Sequence, residues 1–287
     1  MSNPLISVII PCYNHGAFLE EAILSVKAQS YQHFEIIVVD DGSSDAATQH
    51  IIRDLEKQLG FKLVRQKNKG LPAARNAGIG RADGELILPL DADDTFHPDF
   101  MARALEVIMQ DENIKAVSSY AGKFGYSEGV IALKGGDIRD FVLDSAVMPA
   151  SLFRKADWER IGGYDERMVK GYEDWEFWIR MLKDGGRIHV IPEVLFNYRT
   201  HFTSLAVTAG QQRYEIMEYM VRKNIDVYQK YPLEAVLCSE RLLAETKQKY
   251  EKMLHSVYRS RSYRLGYALL HPAAWIKSLF TGRYTHT

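Results

Sequence analysis

Apolar residues in the first 120 positions alternate between two spacings. Ile6-Ser7-Val8-Ile9-Ile10 is a short apolar run typical of a strand buried on both faces, and Leu19, Ala22, Ile23 and Val26 then recur at helical spacing. Glu35 to Val39 is a second β-branched strand, and Ser44 or Asp45 is placed to cap a helix carrying Ile51, Ile52, Leu55 and Leu59. Lys62-Leu63-Val64, Leu86 to Leu90 and Lys115 to Ser118 read as further strands. A helix through 73–79 separates the first two of these, and a helix starting near Pro98 separates the last two. Strands alternating with helices predict an α/β fold with a mostly parallel sheet covered on both faces. Residues 125–133 and 187–198 read as strands, residues 172–183 as a helix with Trp175, Trp178, Ile179 and Leu182 inward, and most of the chain after about 208 as helix.

The chain has 287 residues, 46% hydrophobic and 25% charged, which excludes a disordered, collagenous or purely coiled-coil protein. A formal charge of −1 gives no global field for nucleic acid. That balance hides an asymmetry. From Lys252 onward there are six basic residues and no acidic ones, so the remainder carries −7. The two cysteines, Cys12 and Cys238, form neither a disulfide framework nor a zinc site by themselves, and Cys12 reads as a buried apolar side chain. No stretch approaches the ~20 apolar residues of a membrane span, and the expectation is a cytosolic protein.

In an open α/β sheet, ligands bind at the carboxyl ends of the strands. Here those ends read Pro11-Cys12-Tyr13-Asn14, Asp40-Asp41-Gly42-Ser43 and Asp91-Ala92-Asp93-Asp94. A lone aspartate at such a place is as well explained by capping the next helix. Five carboxylates brought to one edge repel one another unless a cation joins them. Mg²⁺ or Mn²⁺, held by one or two carboxylates and by substrate phosphates, meets that requirement.

Four motifs in this order, residues 7–14, 38–45, Ala74-Arg75-Asn76-Ala77-Gly78 and Leu90 to Asp94, resemble those of glycosyltransferase family 2, the inverting, metal-dependent enzymes of GT-A fold. The resemblance covers residues 5 to about 205 and implies a Rossmann-like sheet flanked by helices. It implies that Pro11 and Tyr13 line the nucleotide base pocket, that Asp40 or Asp41 hydrogen-bonds the base, usually uracil, and that Arg75 lies near the base and diphosphate. Asp91-Ala92-Asp93 would be the DxD motif, with Asp91 and Ala92 on the donor and Asp93, helped by Asp91, on the metal. Asp174, in Tyr172-Glu173-Asp174-Trp175, matches the base that takes the acceptor's proton, while Glu173 is equally explained by the dipole at a helix start. Gly162-Gly163-Tyr164-Asp165 resembles the acceptor-side loop, and Trp175 or Trp178 could stack on an acceptor sugar. Tyr198 to His201 resembles a segment that closes over the diphosphate, with His201 a metal or phosphate ligand and Arg199 a phosphate partner.

The implied reaction moves a sugar from a nucleotide donor, UDP-linked in most relatives, to a hydroxyl of a glycan or lipid-linked acceptor of cell-surface polysaccharide. The alternative is a non-catalytic sugar-nucleotide-binding or scaffold protein derived from such an enzyme. A nucleotidyltransferase would show a Gly-rich basic loop after the first strand, and a dehydrogenase would show Gly-x-Gly-x-x-Gly there; the chain has Tyr13-Asn14-His15-Gly16. The expected division is a GT-A domain over 1–205 and a helical extension over 206–287. The extension's basic residues are interleaved with Tyr258, Tyr263, Leu265, Tyr267, Trp275, Ile276, Leu279 and Phe280, a pattern that suits peripheral contact with an anionic membrane or a docking partner.

Overall fold

The computed structural model describes residues 3–202 and 212–270. Strands β1 (Ile6–Cys12), β2 (Phe34–Asp40), β3 (Lys62–Arg65) and β4 (Leu86–Pro89) lie in the order 3-2-1-4, all parallel, as the alternation predicted. All seven residues of β1 are buried, as a central strand covered on both faces requires. Its alternate side chains serve two cores. Ile6, Val8, Ile10 and Cys12 pack with helices α1 (Gly16–Lys27), α2 (Ala46–Leu59) and α4 (Phe100–Ile108), whereas Ile9 packs on the face holding α3 (Leu71–Ile79). Gly78 belongs to that second face. A Cβ there would lie 2.5 Å from Ile9 Cγ2 and 2.9 Å from Val39 Cγ2, so only glycine lets α3 lie this close to the sheet.

Beyond β4 the sheet is mixed. Strand β8 (Leu152–Arg154) runs antiparallel to both β4 and β6 (Ile114–Gly125), and β6 pairs in parallel with the long β9 (Arg187–Thr200). The two-residue β5 (Thr95–Phe96) pairs antiparallel with the end of β9, which brings residues 197–201 beside the turn after β4. The strand read over 125–133 is a hairpin instead: β6 continues to Gly125, turns there at φ +88°, and returns as β7 (Gly129–Ile131). Strands β5 and β8 are too short to show a period. The same holds for α5 (Lys155–Ile161) and the short 3₁₀ turn Ile138–Asp140.

Helix α6 (Glu173–Leu182) is buried nearly all round. Trp175 and Trp178 are both in the core, against Phe153, Tyr164 and Phe177, which removes either from an acceptor-stacking role. Helices α7 (Arg213–Lys223) and α8 (Ile225–Lys230) bury Ile216, Met220 and Val227 in the same core. Lys223 Nζ bonds Asp165 at 2.7 Å and Glu176 at 2.8 Å. The first compact unit therefore runs to Pro232, past the boundary near 205 drawn from the sequence. The second begins at Leu233 and includes most of α9 (Pro232–Arg259), which buries no residue, and α10 (Arg261–Leu270). Trp275, Ile276, Leu279 and Phe280 fall outside the described residues. Among the described residues, no helix is long and apolar enough to cross a membrane.

Candidate active site

The turns that follow β1 and β2 clamp each other. Asn14, at φ +56°, accepts from the amides of Ser44 and Asp45 at 2.8 and 3.1 Å. Asp45 in turn caps α2 through Thr48 N at 2.7 Å. Pro11 and Cys12 are buried beneath this clamp, whereas Tyr13 is 45% exposed. Burial pushes the Cys12 thiol up to about 11, which excludes it as a nucleophile at neutral pH.

Asp40 and Asp41 are both engaged by the protein's own donors. Asp40 Oδ1 accepts from Ser43 N at 2.9 Å and holds the turn. Asp41 Oδ1 accepts from Gln66 Nε2 at 2.7 Å and Lys69 N at 3.0 Å, while Oδ2 accepts from Gly70 N at 2.9 Å. Both carboxylates are buried, and the pair fixes the 66–70 loop over the end of β2. Asp41 thus acts here as the organiser of the Lys69-Gly70 segment.

The carboxylates after β4 separate by environment. Ala92 is buried, and the side chains of Asp91 and Asp93 are 30% and 16% exposed. Asp93 Oδ2 lies 2.8 Å from His201 Nε2 and 3.9 Å from His15 Nδ1. Asp94 is buried and accepts from Arg199 N at 2.7 Å; burial first, then Asp91 and Asp93, hold it well above the usual carboxylate range. The fifth carboxylate of the cluster is thus part of the scaffold. Arg199 is equally committed. Its Nε donates to Asp93 O at 2.8 Å, its Nη2 bonds Glu21, and the guanidinium lies 4.2 Å from the Phe124 ring and 4.7 Å from Phe18. Tyr198 stands behind the cluster, where burial and then Asp94, Asp91 and Asp93 raise its hydroxyl to about 12.

Arg75 was expected at the base and diphosphate. It is 1% exposed, with Nη1 donating to Glu173 Oε1 at 2.7 Å and Nη2 to Asp91 Oδ1 at 2.9 Å. Its neighbour Asn76 fastens the loop of Gly162 to Asp165: it accepts from Tyr164 N at 2.8 Å and donates to Tyr164 O at 2.9 Å. Gly163 turns at φ +75° so close that a Cβ would meet Asn76 Oδ1 at 2.7 Å. Helix α6 then opens after Gly171 at φ +110° and Tyr172 at φ +59°, a left-handed pair that ends the loop sharply. Glu173, the first helical residue, turns inward and is buried; Asp174, the next, stays partly accessible. Burial pushes Glu173 up to about 7 against the opposing charge of Arg75, and burial likewise raises Asp174.

His15 and Glu173 are the site residues that sequence reasoning passed over. His15 had a signal, its place after the end of β1 beside the Pro11–Asn14 turn. Glu173 had a competing explanation as a helix-start acid. Among the described residues, no three His, Cys, Asp or Glu side chains are grouped closely enough to hold a metal alone. The donor set of Asp93 and His201 suits an Mg²⁺ or Mn²⁺ ion that takes its remaining ligands from a diphosphate and water.

Residues 7–132 match the family model described as Glycosyl transferase family 2, and residues 149–204 match that described as N-terminal domain of galactosyltransferase. An uncharacterized glycosyltransferase of Haemophilus influenzae is 30% identical over 243 residues, 78% of this chain and 74% of the relative. The putative teichuronic acid biosynthesis glycosyltransferase TuaG of Bacillus subtilis is 31% identical over 209 residues, 68% of this chain and 79% of the relative. Two solved structures share the fold. S. aureus TarS 1–349 in complex with UDP-GlcNAc has a TM-score of 0.65 at 20% identity, covering 96% of this chain and 79% of that one. The mannosyltransferase PcManGT of Pyrobaculum calidifontis, in complex with GDP-Man and Mn²⁺, has a TM-score of 0.59 at 17% identity, covering 99% and 89%. Sequence motifs, sheet order and relatives agree, and the chain belongs to glycosyltransferase family 2 as a glycosyltransferase of GT-A fold.

Proposed function

We propose that this enzyme transfers a sugar, with inversion, from a UDP-linked donor to a hydroxyl of a glycan or lipid-linked acceptor in cell-surface polysaccharide synthesis. The observation that carries the reading is the Asp91–Arg75–Glu173 ion-pair chain, which links the turn that holds the Asp93–His201 pair to the helix start that holds the partly accessible Asp174. The UDP-GlcNAc in the TarS complex and the teichuronic acid assignment of TuaG support the donor and acceptor classes. Asp93 and His201 would hold a Mn²⁺ or Mg²⁺ ion, which supplies positive charge to the diphosphate as the glycosidic bond breaks. The exposed Tyr13 ring gives a surface for the base, over a turn that Asp40 and Asp41 hold rigid. Asp174 takes the proton of the attacking hydroxyl on the face of the sugar opposite the leaving group, as inversion demands.

A thermal-shift screen of UDP-, GDP- and dTDP-sugars tests this reading. A donor at about 100 times its Kd stabilises the folded state by roughly 2.7 kcal/mol. The expected result is a shift of several degrees with a UDP-sugar when Mn²⁺ is present, and little without it. No shift with any nucleotide-sugar in Mn²⁺ would refute the donor assignment.

The extension adds a second element of the proposal, peripheral docking on an anionic membrane beside a lipid-linked acceptor. Leu265, Leu269 and Leu270 of α10 are exposed, Arg261 and Arg264 share the helix, and no acid follows Glu251. Each basic residue at an anionic surface contributes about 1 kcal/mol. Deleting residues from 257 onward is expected to reduce co-sedimentation with phosphatidylserine vesicles at least tenfold. Equal co-sedimentation of the truncated chain rules the docking role out.

A further inference from the structure

Glu173 and Asp174 are adjacent acids at one helix start, and either is chemically able to accept a proton. Their surroundings differ. The Glu173 carboxylate is buried and spends Oε1 on Arg75 Nη1, while Asp174 is partly accessible. Arg75 in turn joins two elements that share no strand pairing: Asp91, in the turn after β4, and the first turn of α6. Its guanidinium lies 5.5 Å from the centre of the Tyr164 ring, and its Nε is buried with no hydrogen-bond partner among the described residues. The placement of this buried guanidinium therefore rests on the two carboxylates. A guanidinium is a rigid planar fork, so two bonds from its two terminal nitrogens fix the separation of the groups they reach.

We infer that Arg75 and Glu173 are positioning residues for sugar transfer: Glu173 anchors the guanidinium, and Arg75 sets the spacing between donor-side Asp91 and the turn that presents Asp174. This inference deepens the proposed function and rests on Asp174 as the base. It assigns the two neighbouring acids different tasks, which their sequence does not distinguish. A misplacement of about 1 Å between reacting groups costs on the order of 10²-fold in rate, and the strut guards against that loss.

The test uses the full chain with Mn²⁺ and measures UDP release from whichever of UDP-glucose, UDP-galactose and their N-acetylhexosamine counterparts the wild type hydrolyses fastest. Glu173→Ala is expected to lower kcat by about 30- to 100-fold with donor KM within about threefold. Glu173→Gln keeps an oxygen for Arg75 Nη1 and is expected to recover most of that loss, to within about fivefold of wild type. Arg75→Lys reaches one carboxylate rather than two, and is expected to lower kcat and raise donor KM together. Calorimetric titration with UDP and Mn²⁺ confirms that each variant is folded and binds. A Glu173→Gln enzyme as inactive as Glu173→Ala would make Glu173 a proton-transfer group and overturn the inference. So would a Glu173→Ala enzyme with wild-type kcat. Failure of the base assignment is separate, because it is read from a variant at Asp174 and from the acid limb of the pH profile, not from UDP release by the Glu173 variants.

Discussion

Replacing Asp93 with alanine is expected to reduce Mn²⁺-dependent UDP-sugar turnover by roughly 10³-fold, the scale of losing a principal electrostatic contact to the transition state. Asp93 Oδ2 is the oxygen that meets His201 at 2.8 Å and stands 3.9 Å from His15, so its removal leaves two separated imidazoles at the site. Imidazole alone holds Mg²⁺ or Mn²⁺ poorly, because both ions prefer oxygen. The side chain is partly exposed and lies outside both apolar cores, so thermal stability without ligand should hardly move. Steady-state UDP release across a manganese titration is the measurement. A variant that keeps the wild-type rate and metal response would remove Asp93 from the metal site.

The second large effect concerns Asp174. Asp174→Asn preserves shape and removes the proposed base, and positioned bases are worth about 10²- to 10⁴-fold. Transfer should fall by that factor while UDP affinity, read by calorimetry, stays within threefold. The wild-type pH profile carries the same information. A base works ionised, so the rate falls as pH drops through its folded value. Burial raises that value for Asp174, and Glu173 beside it is pushed up to about 7, so the acid limb should lie above the usual carboxylate pKa of ~4. Transfer at the wild-type rate by Asp174→Asn, or an acid limb near pH 4, contradicts the assignment.

Much of the parallel half was legible in the residues because its signals are local. Apolar runs at Ile6–Ile10 and Leu86–Leu90 report strands buried on both faces, Asp45 announces a cap through its own side chain, and helical spacing in α1 and α2 points each helix at the sheet. The mixed half was less legible. Strands β5 and β8 are two and three residues long, and a period cannot be read from so few positions. The extent of the first unit was also hidden, since α7 is bound to it by Lys223 reaching Asp165 and Glu176 on other elements.

Sequence by itself determined which chemistry is present: a run of acids at strand ends, an acidic pair at a helix start, and a histidine following a strand. It could do so because residue type and strand position are properties of the local chain. Tertiary structure alone decided which of those acids faces outward. Asp40, Asp41 and Asp94 spend oxygens on backbone amides and Glu173 on Arg75, while Asp91, Asp93 and Asp174 keep an accessible side. That sorting depends on partners distant in sequence, because a carboxylate's role is set by what desolvates it and what donates to it, and the fold supplies both.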